Sequence, residues 1–202
     1  MINRDAKRQA ILDAAYRLFR THRFDGTSIS EITAQVGGSK ATIYSHFPSK
    51  EELFVECMTA ALEHYVTGGI VQLDAAGTDP GAALREFGEK ILSFGSSPDM
   101  VAVRRLIIAE ASRSGIGKLF FAKIVAVRTH VAALLAKFMA TGALRPDDAD
   151  FAASQLRALL EAELLEPLLL HVREDSPDEK EIALAADRAV AAFLKAYEPD
   201  GR

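Results

Sequence analysis

The stretch Val36–Phe54, VGGSKATIYSHFPSKEELF, decides how this chain folds. The adjacent residues Gly37 and Gly38 end the helix before them, because glycine is the residue most favoured just beyond a helix C-terminus. A segment of barely two helical turns follows, and Pro48 ends it. Helices this short are marginal in water and must be held by packing. The stretch therefore predicts a short, supported helix with a polar and basic outer face.

Helical signals lie on both sides of this segment. Upstream, apolar residues repeat at helical spacing and predict an amphipathic helix over about Arg4–Thr21. Ser28 and Glu31 have the spacing of a capping box, which begins a second helix. Ser39 is expected to cap the short third helix, and another capping box at Ser49 begins a fourth.

The rest of the chain also has helical punctuation. Asp79-Pro80, Ser97-Pro98 and Ser176-Pro177 each place a capping side chain before a proline at the first helical position. Pro167 should kink the helix that contains it near Glu163. No alternating pattern typical of a strand occurs, so the fold class is all-α with about nine helices. The helices predicted for this part are about 80–95, 98–113, 117–140, 147–172 and 177–197.

The bulk composition describes a soluble protein with a sizeable core. Of its 202 residues, 49% are hydrophobic, which is enough for one large or two small domains. The single cysteine, Cys57, forms no internal disulfide, which fits a reducing compartment, and its apolar neighbours indicate a core position. We identify no apolar run of membrane-spanning length and no signal peptide. We therefore expect a cytoplasmic location and no membrane partner.

The charge is unevenly distributed along the chain. The net charge is −4, yet residues 1–50 hold eight Lys and Arg against four Asp and Glu. Residues 51–202 hold 16 basic and 24 acidic residues. A basic head on an acidic body indicates a nucleic-acid contact in the head. Chance clustering of charge on a solvated face remains the alternative.

Two short helices joined by a glycine-containing turn have the form of a helix-turn-helix. In that motif the second helix enters the major groove of DNA, led by its N-terminal residues. Helix N-termini also offer free N–H groups to phosphates, and phosphate contacts position the protein while base contacts specify the sequence. The residues expected near base edges are Ser39, Lys40, Ala41 and Thr42, and those expected at phosphates are Ser28, Tyr44, His46 and Lys50.

These residues resemble a known family. The strings TSISEI from Thr27, SKATIYSHF from Ser39 and SKEELF from Ser49, preceded by ILDAA from Ile11, look like the N-terminal domain of the TetR/AcrR family of bacterial transcriptional regulators. The resemblance covers residues 8–55. It implies an all-helical homodimer that usually represses, with a variable C-terminal domain that dimerises and often binds a small-molecule inducer. It implies this DNA-facing set: Thr27, Ser28, Lys40, Thr42, Tyr44, His46 and Lys50.

Two positions depart from the family pattern. Gly38 stands where valine or another apolar residue is usual, which removes an apolar plug and should loosen the turn. Ala41 stands where glycine is common, and its methyl group can touch a thymine methyl. Instead of contacting a phosphate, Tyr44 could be an aromatic residue of the core. Lys50 could likewise be a solvated cation.

The resemblance divides the chain into a DNA-binding domain, 1–50, and an effector-binding and dimerisation domain, 51–202. Helices 147–172 and 177–197 resemble the family's dimerisation pair, and two such hairpins form a four-helix bundle. The candidates for effector contacts are polar residues inside apolar runs and two aromatic residues that could line a cavity. They are Arg104, Arg105, Glu110, His130, Phe120 and Phe121. A buried salt bridge explains Arg104, Arg105 and Glu110 equally well, and ordinary core packing explains the two phenylalanines.

Catalytic and metal-binding patterns are not apparent. The Glu-rich cluster around Glu163 lacks the Glu-x-x-His string of di-iron bundles, and no ligand spacing surrounds His46. We therefore expect no enzyme, no metal and no cofactor. The sequence predicts a transcriptional regulator that binds a double-stranded operator as a homodimer and is released by a small-molecule effector. The alternative is a helical ligand-binding or scaffold protein that has lost DNA binding.

Overall fold

The computed structural model describes residues 4–57, 79–111 and 116–199, and all the regular structure in these ranges is helical. This confirms the predicted all-α class. The helices are α1 (Arg4–Gly26), α2 (Ile29–Val36), α3 (Lys40–Tyr44), α4 (50–57), α5 (Pro80–Gly95), α6 (Pro98–Glu110), α7 (Ile116–Ala140), α8 (Ala149–Glu161), α9 (Leu165–Leu169) and α10 (Glu179–Ala196).

Two helix ends differ from the prediction. Helix α1 continues past Thr21 to Gly26, but Arg23 interrupts it with φ of 58° and ψ of 179°. Helix α10 begins two residues later than expected, because Asp178 caps it instead of Ser176. Asp178 accepts from the Glu181 backbone N–H at 2.9 Å and donates its own N–H to the Glu181 carboxylate at 2.9 Å. Two reciprocal bonds satisfy more end groups than a lone serine would.

The expected break at Pro167 is present. Helix α8 ends at Glu161, and the short helix α9 begins at Leu165 with Pro167 in its first turn. Proline has no N–H for the carbonyl one turn earlier, and its ring crowds that carbonyl. The predicted single helix 147–172 is therefore two helices joined by a short bend.

The contacts within the chain define two compact units, residues 1–62 with 102–120, and residues 63–101 with 121–202. In the first unit, the ring of Phe54 lies 4.9 Å from Phe19 and 5.0 Å from Phe24, centroid to centroid. These rings join α1 to α4. Ile32 of α2 and Ile43 of α3 are buried in the same unit, and this burial supplies the support that the two short helices require.

The second unit is built on α5, α8 and α10. Phe193 and Tyr197 stack with ring centroids 4.5 Å apart, and the Tyr197 hydroxyl donates to the Gln155 side chain at 2.6 Å. Gly88 lets α8 approach α5, since a Cβ there would lie 2.8 Å from Leu160 Cδ2. A small residue and a stacked pair of rings thus both contribute to the close packing of this core.

Cys57 lies in the core of the first unit, as its neighbours predicted. Its thiol donates to the Leu12 carbonyl at 3.5 Å, and burial raises the pKa of the thiol. The thiol therefore stays protonated and unreactive.

Helix α7 is unusually apolar. The segment Gly117–Ala140 is long and apolar enough to cross a membrane, with a mean hydropathy of 1.7 in its best 18-residue window. This contradicts the expectation that no apolar run reaches membrane-spanning length. Of that window, 28% is buried within the structure. One such helix is weak evidence for a membrane, because core helices of soluble proteins have the same length and composition.

An ion pair on the second unit predicts a pH effect. The Arg173 guanidinium, with help from the Asp178 backbone N–H, lowers the pKa of Glu181 to about 2. Stability from this pair is complete above the ordinary pKa of about 4.5 and is lost as pH falls toward 2, because the unfolded chain binds the proton first. Thermal melts from pH 7 to pH 3 should therefore show a steeper loss in the wild type than in Glu181→Gln.

Glu179→Gln is the matched control for that prediction. Glu179 is an exposed residue of the same helical turn, and its carboxylate makes no hydrogen bond or ion pair with the residues that the structure describes. Equal pH slopes for wild type and Glu181→Gln would contradict the assignment.

Candidate nucleic-acid interface

The N-terminus of α2 is fixed by the capping box that the sequence predicts. The Ser28 hydroxyl accepts from the Glu31 N–H at 3.2 Å, and the Glu31 carboxylate accepts from the Ser28 N–H at 2.7 Å. The Ser28 N–H and the Ser28 hydroxyl both donate to the Glu31 carboxylate, and these two hydrogen bonds lower the pKa of Glu31. Ser28 is exposed, so its hydroxyl and the helix N-terminus both lie at the surface.

The N-terminus of α3 has a capping box of its own. The Ser39 hydroxyl accepts from the Thr42 N–H at 3.3 Å, and the Thr42 hydroxyl accepts from the Ser39 N–H at 3.3 Å. Threonine here takes the place of the usual Glu or Gln. Ser39 is the cap that the sequence predicts, whereas its reciprocal partner Thr42 is recognised only in the structure.

The turn between α2 and α3 depends on both glycines. Gly37 has φ of 72° and Gly38 has φ of 108°, a region that other residues rarely adopt. A Cβ on Gly38 would also lie 3.3 Å from the Thr42 hydroxyl. Glycine at 38 is thus required by this backbone, and the absence of an apolar plug follows from that requirement.

Helix α3 has one buried face and one exposed face. Ile43 is 2% exposed and anchors the helix in the core. Lys40 and Ala41 are exposed at its beginning, and Tyr44 is 46% exposed at its end. Thr42 is half-buried, as is His46 just beyond the helix. The residues of α3 that are predicted to face DNA are therefore accessible to solvent, whereas Ile43 faces the core.

Thr27 lies elsewhere. It is 1% exposed, and its hydroxyl donates to the Arg23 carbonyl at 2.8 Å. This hydrogen bond uses the Thr27 hydroxyl proton, and its acceptor belongs to Arg23, the residue that interrupts α1. Thr27 is therefore buried, whereas the next residue, Ser28, is exposed. The resemblance placed Thr27 in the DNA-facing set, and the structure gives it a local structural contact instead.

Lys50 begins α4 and packs on an aromatic ring. Its ammonium nitrogen lies 4.2 Å from the centroid of the Phe24 ring, within the range of a cation–π contact. The side chain is half-buried. Lys50 is therefore not a freely solvated lysine, because its contact with the Phe24 ring fixes the position of its ammonium group.

Two cations of α1 were not identified from the sequence. Lys7 donates to the Val36 and Gly37 carbonyls at 2.9 and 3.0 Å. Arg8 pairs with Glu56 at 2.8 Å and lies over the Phe47 ring at 4.9 Å. Both contacts join residues more than 25 positions apart, so no local pattern signals them.

The candidate effector contacts differ in how far their side chains are exposed. Phe120 is 8% exposed, whereas Phe121 is 58% exposed. His130 is exposed, and its Nδ1 lies 2.8 Å from the Ala126 carbonyl of its own helix. Arg104 and Arg105 are half-buried, and the side chain of Glu110 lies outside the described residues, as does the end of the predicted helix 98–113.

A surface cleft of about 350 Å³ occurs in the second unit, and none of those candidates lines it. No local sequence pattern indicates this cleft, because it forms where the α7–α8 connection meets the residues after α10. Its lining residues are Ala143, Leu144, Leu194, Lys195, Glu198 and Pro199.

Metal-ligating side chains do not converge in the described ranges, where no group of three His, Cys, Asp or Glu is placed to hold an ion. The chemistry of the described head is therefore that of hydroxyls, amides and cations on a helix-turn-helix. Such groups bind phosphates and base edges.

Comparison with known proteins identifies both parts of the chain. Residues 11–57 match the family described as bacterial regulatory proteins, tetR family. Residues 82–199, more than half of the chain, match the family described as AefR-like transcriptional repressor, C-terminal domain.

Curated relatives match over less than half of this chain. The regulator LmrA of Bacillus subtilis is 35% identical over 81 residues, 40% of this chain and 43% of that protein. The regulator EthR of Mycolicibacterium smegmatis is 32% identical over 95 residues, 46% of this chain and 44% of that protein. The matched segments thus span less than half the length of these relatives.

Solved structures match over nearly the whole chain. A TetR-family regulator from Mesorhizobium loti is similar with a TM-score of 0.81 and 26% identity, covering 98% of this chain and 99% of that one. The flavonoid-responsive regulator FrrA has a TM-score of 0.64 and 30% identity, covering 96% and 98%. With its capped helix-turn-helix and a family match over more than half its length, this chain belongs to the TetR family of transcriptional regulators.

Proposed function

We propose that this protein is a transcriptional repressor that binds an operator through α3. One observation carries the proposal: Ile43 anchors α3 while Lys40, Ala41 and Tyr44 face solvent from the same short helix. A helix held in this way can enter the major groove with its N-terminal end first. A relative from Corynebacterium diphtheriae, AcnR, is a transcriptional repressor, which supports repression as the direction of control.

Base edges and phosphates are read by different side chains in this proposal. Lys40 contacts a base edge, with Ala41 and Thr42 close to the bases because their small size lets α3 approach. Phosphates are bound by Ser28 and Ser39 at the helix N-termini and by side chains that flank α3. These flanking side chains are Tyr44, His46 and Lys50.

The proposal assigns DNA binding to residues 1–50 and dimerisation with effector binding to residues 51–202. Helices α8 and α10 form the dimer surface. Phe151 on α8 and Leu184 on α10 support this assignment, because they are 58% and 52% exposed although both are large and apolar. A second copy covers such side chains in an isologous bundle, and two copies of α3 then read an inverted repeat.

An effector bound by residues 51–202 releases the operator by favouring one spacing of the two heads over the other. FrrA is named as flavonoid-responsive, so a flavonoid is the first effector class to test. We propose that the protein acts in the cytoplasm, as a regulator and not as an enzyme.

Selection of genomic DNA tests the proposal. The purified full chain is mixed with genomic fragments at near-physiological salt and excess nonspecific competitor, because nonspecific binding is largely electrostatic. Recovery of a few fragments that share an inverted repeat is the expected result. Recovery of no enriched fragment would overturn operator binding and favour the ligand-binding or scaffold alternative.

The salt dependence of binding tests Lys50. Lys50→Ala should weaken binding to all DNA sequences and reduce the slope of log affinity against log salt by roughly 0.9 per lysine, hence about 1.8 for a dimer. Fluorescence anisotropy at four salt concentrations measures the slope. Lys180→Ala, which removes an exposed lysine at the start of α10, is the control. An unchanged slope for Lys50→Ala would show that the lysine serves only its contact with Phe24.

A further inference from the structure

The turn of the helix-turn-helix lacks side chains of its own. Gly37 and Gly38 form it, both at positive φ, and neither can pack against a neighbouring helix. Its conformation is therefore held mainly by backbone contacts. Gly37 donates its N–H to the Thr33 carbonyl at 2.9 Å, which ends α2. That single bond leaves the carbonyls of the last turn of α2 to be satisfied by other groups.

Lys7 of α1 supplies those partners. Its ammonium donates to the Val36 carbonyl at 2.9 Å and to the Gly37 carbonyl at 3.0 Å. Helix α2 has an acidic residue in its first turn and no basic residue in its last turn. Lys7 therefore brings to the C-terminus of α2 the positive charge that a helix end favours there, from a different helix.

The position of this contact connects it to the DNA-facing helix. Gly37 is two residues before Ser39, the cap of α3. Gly37 and Gly38 both have positive φ and no Cβ, so the turn has no side chain of its own to hold it. The Lys7 side chain fixes the α2 end of the turn through its hydrogen bond to the Gly37 carbonyl. Fixing Gly37 limits the directions in which α3 can leave the turn.

We infer that Lys7 is a positioning residue for DNA recognition: it locks the glycine turn, and so sets the orientation of α3, in place of an apolar plug. This inference rests on the proposed binding of DNA through α3. Lys7 touches no base in this arrangement, because both of its described hydrogen bonds go to the protein's own backbone.

The test compares Lys7→Ala with Lys7→Arg and with Arg17→Ala. Lys7→Arg keeps a cation that can donate to both carbonyls. Arg17→Ala removes an exposed cation of the same helix that makes no side-chain hydrogen bond or ion pair with the described residues. Operator and unrelated duplexes are titrated at several salt concentrations by fluorescence anisotropy.

Lys7→Ala should weaken operator binding by about tenfold or more, because α3 loses the two charged hydrogen bonds that fix its turn, with little change for unrelated DNA. Its salt slope should match that of Arg17→Ala, and Lys7→Arg should restore most of the affinity. A slope lowered by roughly 0.9 per lysine relative to Arg17→Ala would instead make Lys7 a phosphate ligand and overturn the inference. Wild-type operator affinity in Lys7→Ala would overturn it as well.

Hydrogen exchange separates this inference from the proposed function. In the free protein, Lys7→Ala should speed exchange of the backbone amides at Gly37 and Ser39 relative to the wild type and Arg17→Ala. If the wild-type protein binds no operator, the proposed function fails, and faster exchange still identifies Lys7 as the lock on the turn. Unchanged exchange rules out the lock.

Discussion

Replacing Phe193 with alanine should lower the free energy of unfolding by about 3–5 kcal/mol, the range for removing a large buried aromatic side chain. Phe193 is fully buried in α10, and its ring stacks on Tyr197 at 4.5 Å. Tyr197 in turn holds Gln155 of α8 by a hydrogen bond of 2.6 Å. The substitution removes ring contacts from the core and leaves Tyr197 without the surface that orients it.

Urea unfolding followed by far-UV circular dichroism measures this loss, at one fixed protein concentration because the proposed dimerisation would contribute to stability. Lys195→Ala, an exposed position on the same helix, should change the unfolding free energy by less than about 0.5 kcal/mol. A loss below about 1 kcal/mol for Phe193→Ala would contradict the packing described for α10.

The second large effect concerns DNA sequence preference. Lys40→Ala should weaken binding to the selected operator by about 30-fold or more, because a base contact contributes about 1–3 kcal/mol and a dimer loses two of them. Binding to unrelated DNA should change much less. Lys40 is exposed at the beginning of α3, whose N-terminus Ser39 and Thr42 fix by reciprocal hydrogen bonds.

Competition between the operator and single-base variants of it measures that preference. Lys40→Ala should lose discrimination at one position in each half-site and keep it at the others. Lys180→Ala serves as the control for loss of one positive charge. Equal weakening on every sequence would show that Lys40 contacts a phosphate, and base recognition would then fall to other residues of α3.

The helices and their beginnings could be predicted from sequence, because the signals are local. The capping box of Ser28 and Glu31 and the proline break at Pro167 depend on residues within one or two turns of each other. At α10 the sequence predicts Ser176 as the cap, and this prediction is wrong, because Asp178 forms the reciprocal pair with Glu181. The family resemblance predicts that α3 faces DNA.

The exposure of individual side chains required the folded chain. Thr27 has the sequence position of a DNA-facing residue, but the interruption of α1 at Arg23 turns its hydroxyl inward. His130 has helical spacing with apolar neighbours, yet it faces solvent. Spacing states which residues share a face, whereas only packing decides whether that face is covered.

The sequence by itself determined that this protein is all-helical, that a glycine turn separates two short helices, and that Lys40 leads the second of them. Those features follow from propensity, capping and periodicity, which act over a few residues. Tertiary structure alone decided that Lys7 caps α2 and that Lys50 packs on Phe24. These contacts join residues 26 to 30 positions apart, and the fold brings them together only after the core has ordered both partners.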